Sequence, residues 1–241
     1  MLKVLVACEE SQRVCTAFRE LGHEAYSADI QEPSGGHPEW HILGDVLEVL
    51  NPSDHLGDFE APDRYISFRT MDGQYHEVEQ WDIIIAHPPC TYLTVTGNRW
   101  FNIEKYGEKA IQRYKDSDKA AEFFMEFANA DCEHIAIENP IGYMSTYYRK
   151  PDQIIQPYEY GHPARKATCL WLKGLPKLQP TNIVEPKIIK YKNGKGTDNP
   201  WHMETMSLPP AERSRERSKT FEGIAKAVAK QFSEYCEAIK G

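Results

Sequence analysis

Several features that quickly assign a chain to a class are missing from this sequence. The 241 residues contain no Cys-x-x-Cys pair, and the six cysteines are widely scattered, so neither a disulfide framework nor a zinc site is indicated. No apolar run approaches the length that spans a bilayer, and acidic residues directly follow the short apolar run at the start. We therefore expect a cytoplasmic protein without a membrane partner.

An overall positive charge is also missing. The formal net charge is -8, with 36 acidic and 28 basic residues. This balance argues against a general nucleic-acid coat protein but is compatible with a local basic face on an acidic enzyme. The composition is globular, at 41% hydrophobic and 27% charged, and predicts one large domain or a domain with a small appendage.

The N-terminal part of the chain follows the order strand, helix, strand. Residues 3–8 form a short apolar strand, residues 11–21 carry apolar side chains at helical spacing, and Gly22 is placed to end that helix. Residues 23–28 form a second strand that ends at Asp29. This order is typical of the start of a nucleotide-binding α/β unit. In such a unit, an acid at the end of the second strand accepts hydrogen bonds from ribose hydroxyls.

A glycine-rich loop is absent from the first turn of this unit. Residues 7–11, Ala-Cys-Glu-Glu-Ser, stand where glycine normally lets the backbone approach a cofactor. A third strand over residues 42–46 is predicted to bring Asp45 to the same sheet edge as Asp29. Alternatively, Asp45 simply caps the turn at residues 47–50.

Two patterns follow before the next buried strand. The spacing of His37 and His41 is compatible with a metal site only if both imidazoles lie on one face of a helix. Pro38 argues against a helix there, so we expect no metal site. Residues 51–80 are polar, and within them residues 65–76 predict two strands around an Asp-Gly turn. We interpret this segment as a hairpin inserted into the main fold.

The rest of the chain is organised around a strand at residues 81–86. Its three consecutive isoleucines suit a strand buried on both faces of a parallel sheet, and the sequence His-Pro-Pro ends it. Cys90 therefore lies at the carboxyl edge of the sheet, where open α/β sheets bind ligands. A buried structural cysteine is the alternative, but a polar loop after two prolines favours a functional thiol.

The loop that follows, residues 91–101, combines a glycine hinge with a basic side chain and large aromatics. Such a loop could close over a substrate, or it could be an ordinary loop pinned by Trp100.

A second buried strand carries polar groups at its end. After a predicted helix at residues 109–129, residues 134–137 form an apolar strand followed by Glu138 and Asn139. A carboxylate there is costly unless it has a partner, so a salt bridge to Arg165 is the structural alternative to a catalytic role. Arg165 and Lys166 precede another strand, where they face either an anion or only solvent.

The C-terminal third is less regular and locally basic. Residues 188–195 resemble half a hairpin, and the nearby lysines at 187, 190, 192 and 195 suit either phosphate contacts or a solvated loop. Residues 220–239 predict an amphipathic terminal helix. The residues predicted on its buried face are Phe221, Ile224, Val228, Phe232 and Tyr235.

Pro89-Cys90 followed by Glu138-Asn139-Pro140 resembles the paired motifs of the cytosine-C5 DNA methyltransferases, and the wider sequence resembles the small phage-type members of that family. The resemblance implies an α/β fold with a Rossmann-like methyltransferase sheet and helices on both faces. It implies a catalytic core at residues 1–174 with the hairpin insertion at about 51–80, a small target-recognition region at 175–212, and a C-terminal helix at 213–241 that returns to the core.

The same resemblance implies S-adenosyl-L-methionine as the cofactor. Asp29 and Ile30 match the ribose-binding acid and its adenine-contacting neighbour, and Gly44-Asp45-Val46 resembles the motif that holds the adenine amino group. The implied cofactor contacts are Cys8, Glu9, Glu10, Ser11, Asp29, Ile30, Asp45, Val46, His87 and Pro88. The implied catalytic residues are Cys90, Glu138, Asn139, Arg165 and Lys166. The implied substrate contacts are Pro89, Thr91, Asn98, Arg99, Trp100, Lys190 and Lys192.

In the implied reaction, the Cys90 thiolate adds to carbon 6 of cytosine, and Glu138, held protonated by its apolar strand, hydrogen-bonds N3. Asn139 orients the loop backbone, and the target base is flipped out of duplex DNA. The expected partner is therefore DNA, and the expected biological process is restriction-modification. A phage-encoded enzyme of this kind would act in the host cytoplasm. We expect its oligomeric state to be a monomer or a weak dimer.

The chain departs from the family in its glycine-free first loop, in Thr91 and Pro140, and in a short region after Gly174. These departures leave three alternatives open. One is a related enzyme that acts on RNA or a nucleotide, or uses a modified donor. Another is a catalytically silent nucleic-acid-binding decoy, and the last is a cysteine hydrolase that pairs Cys90 with His87 or His162.

Overall fold

A parallel sheet forms the centre of the computed structural model, which describes residues 1–55, 63–191 and 196–240. The strands are β1 (Lys3–Ala7), β2 (Glu24–Asp29), β3 (His41–Leu43), β4 (Ser53–His55), β5 (Asp63–Arg69), β6 (Tyr75–Val78), β7 (Ile83–Ala86), β8 (Ile135–Pro140), β9 (Gln153–Ile155), β10 (Thr168–Lys173), β11 (Ile189–Lys190) and β12 (Thr197–Asp198). The α-helices are α1 (Arg13–Glu20), α2 (Ile103–Tyr106), α3 (Glu108–Ala128), α4 (Met144–Tyr147), α5 (Pro200–Met206), α6 (Pro210–Ser218) and α7 (Glu222–Lys240).

The central sheet has seven strands in the order β3-β2-β1-β7-β8-β10-β9. The pairs from β3 through β8 are parallel, and β10 is antiparallel to both of its neighbours. The strand order reverses direction between β1 and β7, and the carboxyl edge at such a reversal is where this architecture binds ligands. The predicted Rossmann-like α/β fold is confirmed.

The apolar runs of the sequence explain why this sheet has helices on both faces. Every residue of Ile83–Ala86 is buried, as expected for a strand covered on each side. Phe124 and Phe127 of α3 pack on one face of the sheet. Phe18 of α1 and Phe232 of α7 pack on the other.

The predicted hairpin insertion is present as β5 and β6, which turn at Gly73, where φ is +87°. β4 adds a third strand to this small sheet. Ile66 and Phe68 of β5 are buried against the core. Phe68 contacts Tyr26 edge to face, with ring centroids 4.8 Å apart. The insertion therefore extends the core beside β2, away from Cys90.

Three details of the sequence interpretation are corrected. No strand is predicted from the sequence in residues 151–163, but this segment contains β9, which pairs with β10 at the sheet edge. The strand around Glu138 continues to Pro140, because β10 pairs with it beyond the point where β7 ends. Tyr235 is 37% exposed, and Cys236 occupies the buried face of α7 instead, one position further along the helix.

Candidate active site

Polar side chains form a row at the carboxyl edge of the sheet because four parallel strands end in register. Their last paired residues are neighbours across the sheet: Ala28, Ala7, Ala86 and Ile137. The next residues in the chain are, in the same order, Asp29, Cys8, His87 and Glu138. This row spans the point at which the strand order reverses.

The centre of the row is a partly buried pair between His87 and Glu138. Nδ1 of His87 lies 3.0 Å from Oε2 of Glu138, and the two side chains are 12% and 20% exposed. Burial alone would lower the pKa of His87, but the hydrogen bond and charge of Glu138, together with the charge of Glu9, raise it above its ordinary value.

The same pair corrects the expected charge of Glu138. Burial alone would raise the pKa of Glu138, but the hydrogen bond from His87 and the positive charges of Lys166 and His87 lower it. Both shifts favour the charged forms of the pair, the imidazolium of His87 and the carboxylate of Glu138. The expectation of a protonated Glu138 considered the apolar strand without the imidazole beside it, and the direction of the shift is opposite to it.

Cys90 follows β7 in a loop that Asn139 holds in place. Nδ2 of Asn139 donates a 2.8 Å hydrogen bond to the carbonyl oxygen of Pro88, two residues before the thiol. Asn139 is buried, and its Oδ1 has no hydrogen-bond partner among the described residues. The amide therefore links the end of β8 directly to the backbone that carries Cys90.

A backbone clamp joins the loops that follow β7 and β8. The N–H of Tyr143 donates to the carbonyl of Leu93 at 2.7 Å, and the N–H of Val95 donates to the carbonyl of Ile141 at 3.3 Å. Gly142 lies between these bonds, where a β-carbon would collide with the Leu93 carbonyl oxygen. We call this pairing, residues 93–95 with 141–143, the loop clamp.

The Cys90 side chain is partly exposed and remains a thiol in the free protein. Burial and the negative charge of Glu138 raise its pKa, while the positive charge of Lys166 opposes this shift. The thiol, the carboxylate and the ammonium group are thus close enough to influence one another electrostatically. A nucleophilic role requires that Cys90 lose its proton when a substrate is present.

The two basic residues before β10 have different positions. Nζ of Lys166 donates to the carbonyl oxygen of Arg217 at 2.9 Å, and its charge acts on Glu138 and Cys90. Arg165 is exposed, and within the described ranges no ion pair joins it to Glu138. The salt bridge considered from the sequence is therefore replaced by the His87 pair.

The other end of the row carries two carboxylates and a thiol. Burial raises the pKa of the Cys8 thiol, and the negative charges of Asp29 and Asp45 raise it further. Ile30 is 79% exposed beside Asp29 and offers a flat apolar contact. Asp29 is partly exposed and Asp45 is exposed, so both carboxylates are accessible from solvent.

Asp45 also caps the turn after β3, as the structural alternative predicted. Its Oδ1 accepts a 3.0 Å hydrogen bond from the backbone N–H of Leu47. The carboxylate is exposed, so this cap does not bury it. Val46 is buried, and its side chain belongs to the core.

The first loop makes its turn without glycine. Cys8 and Gln12 adopt left-handed conformations, with φ of 58° and 56°, and the buried Gln12 donates to the carbonyl of His37 at 2.8 Å. The backbone conformations that glycine usually supplies are therefore adopted by other residues and held by tertiary contacts.

Glu9 occupies the N-terminus of α1. Its two oxygens accept hydrogen bonds from the backbone N–H groups of Val14 at 2.7 Å and Cys15 at 3.1 Å. In related architectures this helix end binds a phosphate. Here the carboxyl group of Glu9 occupies that position.

Replacing Glu9 with Gln is expected to lower the free energy of unfolding by about 1–3 kcal/mol. One carboxyl oxygen becomes an amide NH2 that faces a buried N–H group, so a hydrogen bond is lost and a donor is left unpaired. Urea denaturation measures the change, with Glu20→Gln at the exposed end of the same helix as the control. Equal stabilities of the two variants would contradict the cap.

The remaining predicted contacts are placed as follows. Glu10 is buried and pairs with Arg215 of α6 at 3.1 Å, and Ser11 is partly buried. The cofactor contacts that the resemblance implies stay predictions for Glu9, Glu10, Ser11, His87 and Pro88. Pro89, Thr91, Asn98, Arg99 and Trp100 are exposed around Cys90 or in the loop after it. Lys190 is exposed in β11, and Lys192 lies outside the described residues.

The loop at residues 91–101 is anchored by a residue that the sequence interpretation missed. Arg113 of α3 donates to the carbonyl of Thr91 at 3.2 Å and lies 5.2 Å from the ring centroids of both Tyr92 and Phe101. Trp100 is 41% exposed and contacts Tyr106 of α2, with ring centroids 5.0 Å apart. The position of Arg113 in the sequence, within a predicted helix, does not indicate its contact with the loop.

His37 and His41 have other partners. His41 is buried, with its ring nitrogens bonded to Ser27 at 2.8 Å and to the Gln31 carbonyl at 3.0 Å, while His37 stacks on Trp40. Over residues 1–55, 63–191 and 196–240, no group of three or more His, Cys, Asp or Glu side chains is arranged to hold a metal ion. Over the same ranges, no helix combines the length and apolar character of a membrane span.

No protein-family model and no curated protein sequence matches the chain. Among solved structures, a methyltransferase from Entamoeba histolytica is similar, with 12% sequence identity and a TM-score of 0.43. The match covers 78% of this chain and 58% of that protein, so the chain spans less than two thirds of its length.

Proposed function

We propose that this protein is an S-adenosylmethionine-dependent methyltransferase that acts on carbon 5 of cytosine in DNA. The observation that carries the proposal is the hydrogen bond from Asn139, the neighbour of Glu138 in β8, to the Pro88 carbonyl, which fixes the backbone of the cysteine loop at the sheet edge where the charges of Glu138 and Lys166 act on Cys90. A thiol, an acid and a cation at one sheet edge are the groups that addition to a pyrimidine ring requires.

The other end of the row supports a phosphate-free nucleoside as the cofactor. Asp29, Ile30 and Asp45 would hold the ribose and the adenine, while Glu9 closes the phosphate position at α1. S-adenosylmethionine has no phosphate and carries a positive sulfonium, so it suits an acidic edge. When bound, it supplies the electrophilic methyl group that carbon 5 receives.

The residues of the chain have distinct roles in the proposed reaction. Cys90 gives its proton to water, and its sulfur bonds to carbon 6 as the ring double bonds shift toward N3, which takes a proton through Glu138, so that the ring becomes an enamine. Lys166 stabilises the negative charge that develops around the adduct. After carbon 5 has been methylated, its proton passes to water, the sulfur–carbon bond breaks to release the Cys90 thiolate, and N3 returns its proton.

Access to carbon 6 requires that the base leave the duplex. The exposed segment around Asn98, Arg99 and Trp100 flanks Cys90 and suits contact with the displaced nucleotide. Arg99 stacks over Trp100 with 4.7 Å between the guanidinium carbon and the ring centroid, a pair of the type that supports bases.

Covalent trapping tests the proposal. Wild-type protein incubated with S-adenosylmethionine and duplex DNA containing 5-fluorocytosine is expected to form a denaturation-resistant adduct, because fluorine cannot leave carbon 5 as a proton does. Intact mass identifies the adduct. Cys90→Ala should abolish it, whereas Cys132→Ala, which removes a buried thiol bonded to the Trp81 carbonyl, should not.

Other outcomes would replace the proposal. If wild-type protein binds S-adenosylmethionine but no DNA yields an adduct, the substrate is RNA or a nucleotide, or the natural donor is a derivative. If there is no saturable binding of the cofactor, the decoy alternative is favoured. An adduct that persists in Cys90→Ala would remove Cys90 from the nucleophilic role.

A further inference from the structure

We infer that His87 holds the proton that Glu138 passes to N3 of the target base, so that the proton donor of the site is the His87–Glu138 pair. The inference rests on the proposed function and adds to it a positioning residue that acts through Glu138. The sequence offered His87 only as a cofactor contact or as the base of a hydrolase.

Backbone geometry fixes the pair. The backbone N–H of His87 donates to the carbonyl of Ala7 at 3.0 Å, which holds the start of the loop against β1. Glu138 lies in β8 between the parallel contact with β7 and the antiparallel contact with β10. Because both strands are buried, the 3.0 Å contact between Nδ1 and Oε2 is set by the sheet.

The charges around the pair place its proton on the imidazole. His87 faces Glu138 from β8 and Glu9 from the first loop, and both negative charges favour the imidazolium; Lys166, before β10, opposes it. Glu138 faces His87 and Lys166, which both favour the carboxylate. A carboxylate cannot donate a hydrogen bond to N3, so Glu138 needs a proton supplied from within the site.

The transfer balances without any further reactant. As the Cys90 sulfur bonds to carbon 6, the N–H bond at Nδ1 of His87 breaks and Glu138 takes up that proton. The carboxyl group gives a proton to N3, so Glu138 ends as a carboxylate and His87 as a neutral imidazole. When the sulfur–carbon bond breaks, the proton returns by the same path.

A purely structural pair is the alternative to be tested. A histidine would also satisfy a buried carboxylate that merely holds two strands together. In that case, a side chain that keeps the hydrogen bond should serve equally well. His87→Asn is such a variant, because the Nδ2 of asparagine can occupy the position of Nδ1 and donate to Glu138 but carries no titrating proton.

The decisive measurement is the pH profile of adduct formation with 5-fluorocytosine DNA. In the wild type, the reaction needs the thiolate of Cys90 and the imidazolium of His87 together, so the rate should rise with pH, level off as His87 loses its proton and fall at more alkaline pH. In His87→Asn, the alkaline fall should disappear and the rate should decrease by roughly 100-fold, the lower range for loss of general acid catalysis. His37→Asn, which removes a partly exposed histidine paired with Glu39, should keep the wild-type profile.

A substrate-free measurement tests the pair by itself. The histidine resonances of the wild type, assigned with His87→Asn, should show His87 titrating above its ordinary pKa. In Glu138→Gln, that pKa should fall, since the main favourable charge is removed. Circular dichroism and thermal melting establish that both variants are folded.

The outcomes separate the inference from the proposed function. An adduct in His87→Asn at the wild-type rate and with the wild-type profile overturns the proton role and leaves the methyltransferase proposal standing. A His87 pKa that does not respond to Glu138→Gln overturns the coupling. If wild-type protein forms no adduct at all, the proposed function fails and delivery to N3 fails with it.

Discussion

Replacing Gly142 with alanine is expected to slow covalent capture at Cys90 by at least about 100-fold while the central sheet stays folded. A β-carbon at Gly142 would collide with the carbonyl oxygen of Leu93 and lie 3.1 Å from the α-carbon of Thr94. Relief of that collision must separate the two strands of the loop clamp. Since the clamp positions the Cys90 loop against the end of β8, a shift of about 1 Å at the thiol is sufficient for the loss of rate.

Gly73→Ala is the matched control. Gly73 has φ of +87° in the turn of the insertion, and among the described residues nothing lies within 4 Å of a β-carbon placed there. Alanine should therefore cost about 1–2 kcal/mol of stability through backbone strain without affecting the rate. Adduct kinetics and circular dichroism of both variants are measured together. Capture at the wild-type rate in Gly142→Ala would show that the clamp does not position Cys90.

Trp171→Ala is expected to lower the free energy of unfolding by about 3–5 kcal/mol. The side chain is 2% exposed in β10, and its ring contacts Phe124 of α3 edge to face, with centroids 5.2 Å apart. Its indole N–H also donates to the carbonyl of Arg149 at 2.8 Å. Truncation leaves a cavity between sheet and helix and an unpaired carbonyl group, and both effects destabilise the fold.

Urea denaturation of Trp171→Ala and Trp100→Ala provides the comparison. Trp100 is 41% exposed, so its removal should change the free energy of unfolding far less. Similar losses in the two variants would contradict the assignment of Trp171 to the core.

The strands and their edge could be predicted because their evidence is local. The isoleucine run before His87 and the apolar run before Glu138 each indicate a buried strand with a polar end. These patterns led to the parallel sheet and to a site at its carboxyl edge. β9 was missed because three residues in a loop rich in proline carry little periodicity, and its strand conformation depends on pairing with β10.

The pairing of His87 with Glu138 required the register between strands, which no local pattern supplies. Ala86 pairs with Ile137, so the following residues are neighbours. Had the two apolar runs been aligned at their ends, the imidazole would have been identified as the partner of the carboxylate. Arg165 was considered instead because it is basic and near in sequence to the next strand.

The first loop shows the limit of motif comparison. The absence of glycine in residues 7–11 weakened the prediction of a cofactor site, yet Cys8 and Gln12 adopt the left-handed conformations themselves. Their cost is offset by tertiary hydrogen bonds, such as the one from Gln12 to His37, that sequence spacing does not reveal. The rotation of α7 against α1 is a second example. A rotation that corresponds to one residue decides whether Tyr235 or Cys236 lies on the buried face of the helix.

The loop clamp also determines how the site can move. Because residues 93–95 and 141–143 share backbone hydrogen bonds, the segment that follows Cys90 is joined directly to the segment that follows Glu138. Under the proposed function, a motion that admits a base would displace both segments together or break the clamp. The thiol and the carboxyl group would then reach the substrate as one unit, and water would have little opportunity to enter between them.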